Sequence, residues 1–147
     1  MKKRVMFDSN TFDKAIEHID EIKQHLDTIE IYVTNLQKEE ICNISDDKKE
    51  LREADLNCFY ELNTIEIPPV FTFDHMDFAH FSFVTEPKYH VILKKTGSNW
   101  VDALIGATAI SEGCMLITDD TGLTTKMHAA GGQVESFDSF IANLRSL

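Results

Sequence analysis

Residues 114–120, CMLITDD, join a short apolar run to two adjacent carboxylates. This run predicts a buried strand, with Asp119 and Asp120 placed where the strand ends. The beginning of the chain has the same arrangement, since the apolar segment Arg4–Phe7 leads directly into Asp8. The sequence therefore predicts two strands that each end in aspartate.

Helices are predicted between and after these strands. Apolar residues recur at helical spacing over Phe12–His25, and Thr34 or Asn35 is expected to cap the next helix. The charged stretch Asp46–Asp55 is interpreted as a solvated helix face, with its apolar side formed by Leu51, Leu56, Phe59 and Leu62. Later helices are expected from Ser98 or Asn99 to Glu112, over Leu123–Ala130 and over Phe137–Leu147.

Two more strands complete the pattern, at Ile29–Val33 and near Gln133–Ser136. Strands that alternate with helices predict an α/β domain of three layers, in which helices cover both faces of a parallel sheet. The chain has no internal repeat or low-complexity linker, so residues 1–147 are expected to form a single domain. The segment Val70–Val84 fits both a strand and a helix and remains unassigned.

Composition excludes several classes of protein. The 147 residues are 43% hydrophobic and 27% charged, which excludes wholesale disorder. No apolar run approaches the ~18 residues of a membrane helix, and the start lacks a signal-peptide core, so a cytoplasmic protein without membrane contact is expected. The net charge of −11 disfavours nucleic-acid binding by charge alone. Phosphate chemistry would therefore require a divalent cation.

Cysteine and histidine residues give no competing signal. The three cysteines include no CxxC pair and are interpreted as reduced thiols. His75, His80 and His90 lack tight metal-ligand spacing, so a second metal site there is disfavoured. The chain also lacks a P-loop, a GxGxxG motif and a zinc motif.

The acidic residues are expected to meet at one edge of the sheet. Ligands of open parallel sheets bind beyond the carboxyl ends of the strands, where Asp8, Asp119 and Asp120 are predicted to lie. Asp102 falls in the first turn of a helix that points to an edge of the sheet. Three or four converging carboxylates are the ligands that Mg²⁺ or Mn²⁺ requires, and such ions activate water for attack on phosphate.

The fourth candidate follows from helical geometry. At about 100° per residue, Glu40 falls in the inward stripe of Leu36, Ile41 and Ile44, whereas Glu39 points away. Glu40 is therefore the predicted ligand and Glu39 the reserve.

Each acidic residue also has a purely structural interpretation. Asp8 would cap a helix, Asp102 would favour a helix dipole, Asp119 and Asp120 would form a turn, and Glu40 would pair on the surface. The structural interpretation requires all of these separate roles to coincide at one sheet edge, which favours the functional interpretation.

With these residues in place, the sequence resembles the PIN-domain ribonucleases, most closely the VapC-type toxins of toxin–antitoxin pairs. The resemblance lies in VMFDSNTF, IYVTNLQKEEI, GSNWVDALIGATA, MLITDDTGL and AAGGQVESFDSFI. It covers both ends of the chain and is lost between about Asn43 and Lys95.

The resemblance implies roles for individual residues. Asp8, Glu40, Asp102 and Asp120 would be the catalytic, metal-binding carboxylates, with Asp119 as a neighbouring carboxylate in reserve. Asn10 and Thr118 match polar residues that orient such a centre. A five-stranded parallel sheet, Mg²⁺ or Mn²⁺, hydrolysis of RNA, a protein antitoxin and a homodimer are further implications.

Two other functions remain open at this level. A carboxylate-metal phosphatase would need a second Asp two residues after the first, and Asn10 stands there. A non-catalytic PIN-like module that binds RNA or protein has no physical reason to keep a mutually repelling acidic cluster.

Overall fold

The computed structural model describes residues 1–70 and 100–147, without the side chain of Trp100. Three parts of the sequence-based interpretation lie outside this range. They are the unassigned segment beyond Val70, the helix cap at Ser98 or Asn99, and the histidines His75, His80 and His90.

Within the described residues, five strands form one sheet in the order β3-β2-β1-β4-β5, and their four pairings are parallel. The strands are β1 (Lys3–Phe7), β2 (Ile29–Val33), β3 (Ile65–Glu66), β4 (Met115–Ile117) and β5 (Val134–Glu135). This confirms the predicted α/β class and the five parallel strands. β3 is the strand that the sequence pattern did not locate, because its two residues are both exposed.

The helices of the described residues are α1 (Thr11–Glu17), α2 (Ile19–Lys23), α3 (Asn35–Cys42), α4 (Lys49–Glu61), α5 (Trp100–Ser111), α6 (Thr121–Ala129) and α7 (Phe137–Arg145). A short 3₁₀ helix, Asp46–Lys48, precedes α4. The first predicted helix, Phe12–His25, is in fact two helices. His18 separates them, and its N–H bonds to the Ala15 carbonyl, three residues back, which tightens the last turn of α1.

The N-cap of α3 is one of the two residues expected from the sequence, Thr34 or Asn35. Thr34 caps α3, and its hydroxyl accepts from the Leu36 N–H at 3.1 Å. Gln37 returns the bond by accepting from the Thr34 N–H, which completes a capping box. None of the described helices combines the length and the apolar character needed to cross a bilayer.

Helices cover both faces of the sheet because successive strand residues point to opposite sides. Val5 and Phe7 pack in one core with residues of α1, α2, α4 and α7. Met6, between them, packs in a second core with residues of α5 and α6. The three-layer prediction is confirmed.

Helix α4 corrects one expectation. The stretch Asp46–Asp55 was predicted to be a solvated face, but Asp55 is fully buried. It belongs to the inner stripe of α4 together with Cys58 and Leu62, because residues three and four positions apart share a helix face.

Topology indicates a candidate functional edge between β1 and β4. The chain runs outward from β1 through β2 to β3 on one side, and from β4 to β5 on the other. The strand order therefore reverses between β1 and β4, and ligands of open α/β sheets bind in the crevice at such a point.

Candidate active site

Asp8 lies directly after β1 and forms the buried floor of the crevice. Its side chain is held at both oxygens, because Oδ1 accepts from the Ser9 N–H at 2.8 Å and Oδ2 accepts from the Thr118 hydroxyl at 3.0 Å. Burial raises the pKa of Asp8, the two hydrogen bonds oppose that rise, and the charge of Asp120 adds to it. The hydrogen bonds thus fix the position of the Asp8 carboxylate, while burial and the charge of Asp120 disfavour its ionised form.

Thr118 connects the two strands at the crevice. Besides donating to Asp8, its hydroxyl oxygen accepts from the Asp120 N–H at 3.1 Å. The side chain is buried, so these bonds lie away from bulk water. Thr118 fixes the position of Asp8 relative to the loop that carries Asp120.

Glu40 faces the same crevice from α3. Its side chain is exposed, which differs from the inward position predicted from the helical stripe. The buried residues of α3 are Gln37 and Ile41, so Glu40 lies at the rim of the crevice rather than in the core. Partial desolvation there, with repulsion from Asp102 and then Asp8, raises the pKa of Glu40 to about 7.

Ser9 is a site residue that the sequence interpretation missed. It is buried, and its side chain lowers the pKa of the Glu40 carboxyl in opposition to the larger effects. Its backbone N–H holds Asp8. Its place between Asp8 and Asn10 was the available signal, since a hydroxyl beside a strand-end carboxylate is a ready donor.

Asp102 approaches from the first turn of α5, on the other side of the crevice. Burial raises its pKa to about 6, with contributions from Asp8 and Asp120, while the cation of Lys126 acts in the opposite direction. Asp102 therefore belongs to one electrostatic cluster with Asp8 and Asp120, although α5 is far from β1 in the sequence.

Asp120 has two structural roles beside this cluster. It is the N-cap of α6, where Oδ1 accepts from the Leu123 N–H at 3.0 Å. It is also exposed and close enough to Asp8 and Asp102 to raise the pKa of each. Oδ1 of Asp120 thus caps α6, and the negative charge of the side chain raises the pKa values of the neighbouring carboxyls in the crevice.

Asp119, the reserve carboxylate, lines the same cleft but bonds to residues outside the cluster. Its Oδ1 accepts from the Phe137 N–H at 3.1 Å, and its Oδ2 forms an ion pair with Lys14. The Lys14 ammonium holds the pKa of Asp119 below its usual range. Both of its oxygens are thus engaged by other parts of the chain.

The two remaining candidates are exposed. Glu39 accepts from the Asn35 side chain at 3.2 Å, on the outer side of α3. Asn10 precedes α1 without a side-chain capping bond. It lines a cleft with Asp8, Thr11, Lys14, Thr118, Asp119 and Asp120.

The donor set has the chemistry of a hard-cation site. Asp8, Glu40, Asp102 and Asp120 offer only carboxylate oxygens, which Mg²⁺ and Mn²⁺ prefer. Desolvation and mutual repulsion raise the pKa values of Asp8, Glu40 and Asp102, and a divalent cation would offset both effects. Within residues 1–70 and 100–147, no three His, Cys, Asp or Glu side chains lie close enough to hold one ion together. The four carboxylates are electrostatic neighbours rather than a closed coordination shell.

Comparison with known proteins agrees with the fold. The crystal structure of PAE2754 from Pyrobaculum aerophilum is similar over 100% of both chains, with a TM-score of 0.61 and 15% sequence identity. At this identity the likeness concerns the fold alone. No curated protein matches the sequence.

The family comparison includes the crevice itself. The model of the PIN domain matches residues 4–126, a range that begins in β1 and ends in α6. This range contains Asp8, Glu40, Asp102 and Asp120. Since this match spans most of the chain, the protein belongs to the PIN domain family.

Proposed function

We propose that this protein is a metal-dependent endoribonuclease that hydrolyses RNA phosphodiester bonds. PIN domains are generally nucleases, and they typically use divalent metal ions. The observation that carries the proposal is the electrostatic cluster at the β1–β4 crevice. There Asp102 and Glu40 have pKa values of about 6 and about 7, partly because neighbouring carboxylates repel their ionised forms.

The four carboxylates would hold Mg²⁺ or Mn²⁺. When bound, the ion would supply a water of lowered pKa and positive charge for the phosphate oxygens. Asp8 is the rigid member, because Ser9 and Thr118 fix both of its oxygens. Glu40 and Asp120 are the exposed members, through which a substrate would approach.

Thr118, Ser9 and Asn10 would orient the ligands. Thr118 and Ser9 do so by direct hydrogen bonds to Asp8, and the Ser9 side chain also favours the ionised form of Glu40. Asn10 would act from the cleft wall, where its side chain is free of a capping bond. Such outer partners typically change metal affinity or activity by ~10- to 100-fold when removed.

We further propose that the protein is the toxin of a toxin–antitoxin pair and forms a homodimer in the cytoplasm. This finer assignment rests on the resemblance of the sequence blocks around Asp8, Asp102 and Asp120 to VapC-type toxins. Expression of the chain alone should arrest growth, and co-expression of a small protein from the adjacent reading frame should relieve it. Sedimentation should give the mass of two chains.

Cleavage of labelled single-stranded RNA across a titration of Mg²⁺ and Mn²⁺ tests the enzyme assignment. We expect cleavage that requires metal, stops in EDTA and falls by orders of magnitude in Asp8→Asn. The control is Asp27→Asn, since Asp27 is an exposed aspartate just before β2, at the opposite end of the sheet. Cleavage that persists in EDTA would contradict the metal-dependent mechanism.

A further inference from the structure

A nuclease of this charge must hold a polyanion next to a cluster of carboxylates. The chain carries 25 acidic and 14 basic residues, and the crevice adds its own negative charge. Affinity for nucleic acid comes largely from cations that contact phosphates. The cations beside the crevice are therefore the places to look for substrate contacts.

Lys14 is such a cation. It lies on α1 and lines the same cleft as Asp8, Thr118 and Asp120. Its side chain is 49% exposed, so the ammonium is open to a ligand. Asp119, Asp138 and Glu17 raise the pKa of Lys14, which keeps the side chain charged.

Asp119 fixes the position of this lysine. The carboxylate is itself anchored, because Oδ1 accepts from the Phe137 N–H at the start of α7. Its Oδ2 pairs with the Lys14 ammonium. An ammonium has three N–H donors, so one bond to Asp119 leaves two for a ligand in the cleft.

A purely stabilising role explains this pair poorly. Exposed ion pairs contribute little to stability, and Asp119 is 37% exposed on its side chain. The chain has a comparable exposed pair, Lys23 with Glu61, at 2.6 Å. The Lys23 pair lies away from the acidic cleft, because Leu62, the residue after Glu61, lines a separate pocket with Lys2 and Leu26. The Lys14 pair differs in that it lines the acidic cleft.

We propose that Lys14 binds a backbone phosphate of the RNA adjacent to the cleaved bond, and that Asp119 is the positioning residue that aims it there. This inference rests on the proposed ribonuclease function. It assigns to Asp119 a role in substrate binding rather than in metal binding. It also gives a chain of net charge −11 one cationic contact to its substrate at the cleft.

The test measures binding as a function of salt. Fluorescence anisotropy of a labelled oligouridylate is recorded in Ca²⁺, with the probe checked on a gel for intactness, for wild type, Lys14→Gln, Lys14→Arg and Lys23→Gln. Lys14→Gln should weaken binding roughly tenfold, as expected for one charge-assisted hydrogen bond. It should also reduce the slope of log K against log salt concentration by about 0.7, the contribution of one phosphate contact on a single strand.

The conservative and control variants separate binding from structure. Lys14→Arg keeps the charge and should retain the salt slope, whereas Lys23→Gln removes a comparable ion pair and should match wild type. Wild-type affinity and slope in Lys14→Gln would overturn the assignment of Lys14 while leaving the nuclease proposal intact. Absence of both RNA binding and RNA cleavage in wild type would overturn both.

A double-mutant cycle tests Asp119. If Asp119 acts through Lys14, Asp119→Asn should lower kcat/KM in the wild-type background and have no further effect in Lys14→Gln. Asparagine keeps an oxygen for the Phe137 N–H, so α7 retains this contact. Equal losses in the two backgrounds would show that Asp119 does not act through Lys14.

Discussion

The hydroxyl of Thr118 donates to Oδ2 of Asp8 at 3.0 Å, across 110 positions of sequence. This bond joins the ends of β1 and β4, the two strands that flank the reversal of strand order. It opposes the rise that burial imposes on the pKa of Asp8. A single buried hydroxyl therefore contributes both to the shape of the crevice and to the ionisation of its most enclosed carboxylate.

Loss of this hydroxyl should impair the site without unfolding the protein. Thr118→Val keeps the branched shape but leaves Asp8 Oδ2 and the Asp120 N–H without their partner. We expect activity at neutral pH to fall roughly 10- to 100-fold. The acid limb of the pH–rate profile should move to higher pH, because Asp8 loses a bond that favours its ionised form. Thr118→Ser, which keeps the donor, should restore most of the activity, and an unmoved profile in Thr118→Val would contradict the role of the bond.

Removal of metal should lower stability. The crevice carboxylates repel one another, so binding of Mg²⁺ or Mn²⁺ to the native state should raise the melting temperature. Asp8→Asn should lose most of this rise, and Asp27→Asn, on an exposed aspartate at the far end of the sheet, should keep it. Differential scanning fluorimetry across a metal titration makes the comparison. Equal shifts in the two variants would mean that the ion binds elsewhere.

Glu40 and Glu39 should differ sharply. Glu40 is coupled to Asp102 and Asp8, whereas Glu39 bonds to Asn35 on the outer side of α3. Glu40→Gln should reduce RNA cleavage by orders of magnitude, and Glu39→Gln should remain within about twofold of wild type. The two substitutions remove the same charge from adjacent positions, so each is the control for the other. The reverse result would assign the ligand role to Glu39.

Asp102→Asn and Asp120→Asn should retain the fold and lose turnover. Asparagine is as good an N-cap as aspartate, so Asp120→Asn keeps the bond from the Leu123 N–H. Both variants relieve repulsion on Asp8, which favours the folded state in the absence of metal. Circular dichroism should therefore be unchanged while cleavage falls by orders of magnitude, and excess Mn²⁺ should recover part of it. Full activity in both variants would remove these residues from the mechanism.

Stability should decline as pH rises because of Asp55, at a distance from the crevice. Burial and the neighbouring carboxyl of Asp13 raise the pKa of Asp55. Among the described residues, neither oxygen of Asp55 has a hydrogen-bond donor. A proton shared between the carboxyls of Asp55 and Asp13 would supply one. In the unfolded chain the Asp55 carboxyl loses its proton near pH 4, whereas in the folded chain it does so only at its raised pKa. The free energy of unfolding therefore falls as pH rises between these two values.

Asp55→Asn tests this directly, since the amide supplies a donor to Asp13 at every pH. We expect the variant to gain about 1–3 kcal/mol over wild type in alkaline buffer and much less in acid. Urea unfolding at several pH values gives both figures, with Asp20→Asn, on an exposed residue of α2, as the control. A wild type whose stability is independent of pH over this range would contradict the shared proton.

The central strands of the sheet were predictable from the sequence because each is a short apolar run. β1, β2 and β4 are apolar runs, and the carboxylates that follow β1 and β4 identify the functional edge. β3 has no such pattern, since Ile65 and Glu66 are both exposed and pair with β2 only through their backbones. A two-residue edge strand has too few side chains to show a periodicity.

Side-chain surroundings were less predictable than the backbone. The helical angle separated Glu40 from Glu39, but it did not show that Gln37 would occupy the buried position and leave Glu40 at the rim. The pairing of Lys14 with Asp119 joins residues 105 positions apart and has no local signature. Such contacts depend on the relative placement of elements, which hydrophobic periodicity does not encode.

The central position of β1 also determines when the crevice can form. β1 is synthesised long before Met115, the strand partner of Val5, which lies 110 positions further along the chain. Until then Asp8 lacks Thr118 and Asp120, which both follow Met115 in the sequence. The carboxylate cluster at the β1–β4 crevice therefore cannot assemble before the segment that contains β4 and Asp120 has been synthesised.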